Sequence, residues 1–205
     1  GEGTSAVYDA NSSDWFGTLS EITQTGGYWV VINNEDADIT VSDGIPTEPQ
    51  TEYDLHLYTN LISYPFAGSS LIEDAIPHSV QGSIDAILSE GFAALNTEEG
   101  WVGGLTELSG TEGYWFITNS EVSFSFNPPV SGSARMASII RPVPVEYSYK
   151  QSTQQAFYFV DNATIGGEDI EEEDLIIAFN GDVRVGSRYW YGEITDVPAM
   201  GTDGS

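Results

Sequence analysis

The sequence predicts a mainly β protein, built of antiparallel β-sandwich-like modules with at most one or two short helices. Three observations carry that prediction. Aromatic and β-branched residues gather in short runs, several with period-two alternation. Gly, Pro, Asn or Ser bound those runs about every ten positions, as antiparallel sheets require. The 205 residues, 40% of them hydrophobic, suffice for a core, yet no uninterrupted apolar run reaches the roughly 18 residues of a membrane span.

Tyr28–Ile32 is the first predicted strand, followed by Asp54–Tyr58 and Leu61–Phe66. Leu71–Ile76 reads as a short helix, because Ser70 and Glu73 have capping-box spacing and Pro77 stops the run. Ile84–Leu88 suits a strand or a helix. Tyr114–Thr118 and Val122–Phe126 are strands again, as are Ala156–Val160, Leu175–Phe179, Asp182–Gly186 and Arg188–Glu193. Asn180-Gly181 is a hairpin turn by composition.

An internal repeat organises the first two thirds. Trp15 to Trp29 (WFGTLSEITQTGGYW) aligns without a gap to Trp101 to Trp115 (WVGGLTELSGTEGYW), with Trp, Gly, Leu, Glu, Thr, Gly, Tyr and Trp identical. The match runs back to Glu2-Gly3 against Glu90-Gly91 with a two-residue length difference, and forward to Asn33 against Asn119. Equivalent positions, Trp15 and Trp101 above all, are expected to share their burial. The second copy has an upstream half, Tyr53 to Leu88, without a counterpart in the first, so the first unit is expected to receive strands from elsewhere.

Two breaks divide the chain. Gly44 to Glu52 is a short connection, and Asn127 to Pro144 carries four prolines around a Ser/Gly/Ala stretch. The expected organisation is a two-copy β-rich region at 1–127 (units 1–44 and 53–127), a Pro-rich linker at 128–146 and a C-terminal β module at 147–205. Charge changes at the same place. All five bases, Arg135, Arg141, Lys150, Arg184 and Arg188, lie beyond residue 134, against 32 acids and a net charge of −27. Such a polyanion repels phosphate backbones and anionic headgroups, which excludes nucleic acid and direct membrane contact as partners.

Asn60 to Phe66 (NLISYPF), Gly113-Tyr114-Trp115, Ala156 to Phe159 (AFYF) and Ala178 to Met200 (AFNGDVRVGSRYWYGEITDVPAM) resemble modules of large secreted multidomain surface proteins of environmental, often marine, bacteria. Such proteins are similar to those exported to the cell surface through a C-terminal sorting domain. The resemblance implies an extracellular or cell-surface location and a β module, and it carries over no catalytic residue. In modules of the last type a further Gly-rich turn and strand follow the position of Ser205, so a truncated C-terminal module is expected.

Motifs for chemistry are sparse. There is no Cys, hence no disulfide or thiolate site, and His56 and His78 stand in no HxH or HExxH spacing. GxSxG and GxxxxGK[ST] are missing too. Asn11-Ser12-Ser13 and Asn162-Ala163-Thr164 fit glycosylation spacing but carry little weight in a bacterial protein. Glu168, Asp169, Glu171, Glu172, Glu173 and Asp174 form the denser acid cluster and are the candidate calcium ligands, ahead of Glu35, Asp36 and Asp38, although neither follows the DxDxDG pattern. Calcium is the one cofactor considered.

Arg188, Tyr189, Trp190, Tyr191 and Glu193 are the candidate glycan-binding set, an aromatic run with mixed polar neighbours. The expected function is a non-enzymatic structural or adhesive module that assembles through strand edges with its own kind or with adjacent modules, or that spaces functional domains. Polysaccharide binding through exposed aromatics is the alternative, and a fragment of a glycan-degrading enzyme the third reading.

Overall fold

The computed structural model describes residues 2–32, 47–129, 141–192 and 194–202. Its first hairpin joins β1 (Ala6–Asp9) to β2 (Asp14–Gly17). β3 (Tyr53–Leu55), β4 (Tyr58–Ser63) and β5 (Ser69–Leu71) lead into two one-turn helices, α1 (Ile72–Ala75) and α2 (His78–Gln81). β6 (Ile84–Leu88), β7 (Ala93–Thr97) and β8 (Gly100–Val102) form a meander, followed by β9 (Glu107–Ser109), β10 (Gly113–Thr118) and β11 (Val122–Phe124). The C-terminal part holds β12 (Gln155–Val160), β13 (Thr164–Ile165), β14 (Glu168–Asp169), β15 (Leu175–Asn180), β16 (Val183–Tyr189) and β17 (Thr195–Met200). The fold is mainly β, with several antiparallel sheets and sandwich-like modules, as the turn spacing predicts.

The chain folds as two compact units that do not follow it linearly. One comprises residues 1–84 and 108–130; the other comprises 85–107 and 131–205. The linear order expected from the linker therefore fails for 85–107, which packs with the C-terminal stretch. The cause is a buried charge: Asp196 of β17 accepts the amides of Ala93 (3.0 Å) and Gly104 (2.6 Å), and Arg188 of β16 donates to Gly91 O. A carboxylate withdrawn from water must collect such donors, wherever in the sequence they lie.

In the first unit the core centres on Phe126. Its ring lies 5.0 Å from Tyr53, 5.0 Å from Phe124, 5.3 Å from Tyr64 and 6.1 Å from Phe116, mostly edge to face, the arrangement that ring quadrupoles favour. Ile72, Ala75 and Ile76 bury the one apolar side of α1. Leu71 occupies the N-cap of that helix and makes no side-chain cap, so Ser70 does not close the capping box its spacing suggests. β4 pairs with β10, Ser63 opposite Gly113 through Tyr58 opposite Thr118, and β3 pairs with β11.

In the second unit β15 and β16 form the hairpin predicted at Asn180-Gly181, with Gly181 at φ +62° and a register shift at Ala178/Phe179. The runs Asp182–Gly186 and Arg188–Glu193 merge into one strand as far as Tyr189. β17, with Pro198 inside it, pairs with β12, and the sequence gives it no apolar alternation to be read by.

Candidate functional site

Two features stand out, one in each unit. In the second unit a cleft of about 520 Å³ is lined by Trp101, Gly104, Thr106, Arg141, Glu172, Glu173, Tyr189, Trp190 and Tyr191, among others. Backbone bonds at the end of β16 aim its aromatic run: Trp190 N–H donates to Asp174 O (2.9 Å) and Tyr191 N–H to Thr195 Oγ1 (3.1 Å). Trp190, just past the end of β16, is buried, while Tyr189 and Tyr191 are half-buried. The Arg141 guanidinium stands 4.2 Å over the Tyr189 ring and 3.8 Å from Glu173 Oε1. Flat rings beside a mutually neutralised Arg–Glu pair can stack on apolar C–H faces and exchange hydrogen bonds with hydroxyls.

Beneath the cleft lies the Arg188–Asp196 pair. Arg188 NH2 is 3.2 Å from Asp196 Oδ2, its Nε donates to Asp196 O (3.0 Å), and its plane covers Phe92 at 4.1 Å. Burial pushes the Asp196 carboxyl above the usual carboxylate range, against the pull of Arg188 and the amides of Ala93 and Gly104. Burial likewise raises the Tyr191 phenol, with Arg188 opposing. Both charges are spent inside the fold.

Of the five candidate glycan residues, Tyr189, Trp190 and Tyr191 therefore line the cleft, Arg188 is a core residue that cannot meet a ligand, and Glu193 lies outside the described residues. Trp101, Arg141 and Glu173 join the site from other parts of the chain. Arg141 was legible only as one of five bases in a base-poor sequence.

The candidate calcium ligands do not come together. Among the described residues no three His, Asp or Glu side chains are gathered for a metal ion. Glu168 and Asp169 pair along β14 with β13, Asp174 Oδ2 accepts Glu171 N–H (2.8 Å) to close a turn, and Glu172 turns to the cleft. Crowded carboxylates lower their repulsion by pointing apart, which is the opposite of what a chelate needs. Glu35, Asp36 and Asp38 lie outside the described residues. His56 is exposed and bridges Leu57 O (2.9 Å) to Glu2 Oε1 (2.7 Å); His78 is exposed at the start of α2.

The first unit holds the second feature. The β1–β2 hairpin places Tyr8 opposite Trp15, and the β7–β8 hairpin places the equivalent Asn96 opposite Trp101. Leu19 N–H bonds Ser5 O as Leu105 N–H bonds Ala93 O, and the phenol of Tyr28 accepts Thr23 N–H as that of Tyr114 accepts Ser109 N–H, both at 2.7 Å. Backbone geometry thus recurs in both copies, but burial does not. Trp15 is 66% exposed, whereas Trp101 is half-buried, so the expected match in environment fails.

The contrast grows along Gly-Tyr-Trp. Phe116 and Thr118 on β10 are 0% and 1% exposed; the equivalent Val30 and Ile32 are 59% and 51% exposed, and the strand expected at Tyr28–Ile32 is not formed. Only the residues before it are held: Gly27 N–H donates to Leu61 O (2.9 Å) and Ser63 N–H to Thr25 O (3.0 Å), on the edge of β4 away from β10. The ladder stops there because Leu61 N–H is taken by Glu2 Oε2 (3.3 Å). No protein-family model, curated protein or solved structure matches this chain.

Proposed function

We propose that the chain is a non-enzymatic extracellular module, structural or adhesive, that assembles through strand edges or spaces functional domains. One observation carries this reading: the first repeat copy turns Val7, Tyr8, Trp15, Phe16, Val30, Val31 and Ile32 to solvent where the second copy buries or half-buries most of the equivalents. Large apolar side chains left exposed in one copy and covered at the equivalent positions of the other mark places where a partner can be accommodated. At Tyr28–Ile32, which joins no ladder among the described residues, backbone groups add the means, β-augmentation. A net charge of −27 opposes close approach, so association strengthens as salt screens it. Light scattering across protein and NaCl concentration tests the reading: mass should rise with both, and a monomer at every condition would overturn it.

A second reading is supported by the aromatic cleft, namely polysaccharide binding by the second unit. Titrating neutral polysaccharides while following Trp fluorescence tests it, with Tyr189→Ala expected to remove the response because Tyr189 carries the half-buried ring under Arg141. An unchanged response in that variant would take the cleft out of consideration.

A further inference from the structure

We infer that Tyr28–Ile32 is the acceptor for one kind of partner, a strand of the β4 sequence type supplied by another repeat unit. This rests on the strand-edge reading and names its occupant. The template lies inside the chain: β10, the equivalent of Tyr28–Ile32, is covered by β4 in a defined register, Tyr114 opposite Ile62, Trp115 opposite Leu61, Phe116 opposite Asn60 and Thr118 opposite Tyr58.

The bonding direction follows from the other edge of β4. Leu61 and Ser63 spend backbone groups on Gly27 and Thr25, so alternation turns Tyr58, Asn60 and Ile62 towards β10. By equivalence, Tyr28, Val30 and Ile32 present the N–H and C=O groups that such a strand needs, and their side chains form the face that becomes core. Val30 and Ile32 are the exposed members of that face. The internal β4 cannot serve both copies: its free edge is filled by Thr25–Gly27 and Glu2, and its other edge by β10. A second strand of the same pattern, apolar Leu-Ile-Ser-Tyr after an Asn, fits the first copy as β4 fits the second.

The probe is a capped synthetic peptide with the sequence of Tyr58–Phe66, added to the whole chain and followed by backbone amide NMR and hydrogen exchange. Shifts and new protection should appear at Tyr28, Val30 and Ile32. N-methylation at the peptide's Ile62 position removes a bonding donor and should weaken binding by about tenfold or more, whereas N-methylation at the Leu61 position should leave it within a few-fold. In the protein, Val30→Pro should cause a similar loss; Val30 belongs to no strand, so the fold survives the substitution. Absence of binding, equal effects of the two N-methylated peptides, or changes confined to Gly113–Thr118 would overturn the inference. Light scattering of the chain without peptide judges the strand-edge reading separately: a chain that self-associates yet ignores the peptide keeps that reading and loses this one.

Discussion

At the scale of single residues, Asp196 is the position with most at stake. It is fully buried and held by two amides and Arg188, so Asp196→Ala leaves the guanidinium without its counter-charge and two N–H donors without an acceptor. Breaking a buried pair of this kind costs about 3–5 kcal/mol. Urea denaturation followed by near-UV circular dichroism should show the second unit losing most of its stability, and an unchanged midpoint would mean that the pair is dispensable. His56 supplies the pH dependence. Its pKa is raised first by the hydrogen bond to Leu57 O and then by Glu2, so protonation is favoured in the folded chain. The contribution is complete below the ordinary histidine value near 6.5 and is lost as pH rises through the folded value. NMR titration should place the midpoint above 6.5. Glu2→Gln should lower it only in part, since the larger cause remains. Neither role was legible beforehand: a lone Asp near Pro198 and a His between leucines acquire meaning only when residues far along the chain arrive beside them.

At the scale of elements, the two hairpins make a paired experiment. Gly17 and Gly103 both have positive φ, +150° and +115°, and a Cβ on them would come 2.1 Å from Ser5 O and 2.4 Å from Ala93 O. Gly17→Ala and Gly103→Ala should each cost at least the ~1–3 kcal/mol of a strained backbone site. Thermal unfolding of the two variants reads the cost directly. Tyr114→Phe leaves Ser109 N–H without its acceptor in a part-buried place and should cost about 1–3 kcal/mol, while Tyr28→Phe, whose Thr23 partner is exposed, should cost less. These glycines and tyrosines were visible in the sequence as identities of the repeat, and the strands with β-branched or aromatic alternation, such as Tyr114–Thr118 and Ala156–Val160, were legible for the same reason. β1, β2 and β17 were not, because Asp, Gly and Pro sit inside them; Tyr28–Ile32 reads as a strand because its pattern is one, although among the described residues no ladder partner reaches it.

At the scale of the whole molecule, charge governs behaviour more than any single acid does. With 32 acids and five bases, screening by NaCl should raise the melting temperature. Because the described acids are not gathered into a chelate, CaCl2 and MgCl2 at equal ionic strength should shift it alike. A calcium-specific rise would restore an assembled site. The division into two units was half legible. Composition marks the break near residue 130, but the transfer of 85–107 to the C-terminal unit depends on Asp196 and Arg188 meeting Gly91, Ala93 and Gly104, which no local pattern announces.

The short contact of Thr25–Gly27 with Leu61–Ser63 has a mechanical consequence. It ties the chain near Thr25 to β4, so tension entering before Thr25 is carried across to β4 by two backbone hydrogen bonds. Thr25 faces Ser63, so load reaches the bonds from one end and breaks them in turn, the direction in which a ladder yields most easily. Under a pull, these two bonds give way before the ladders between β3 and β11 and between β4 and β10 are stressed.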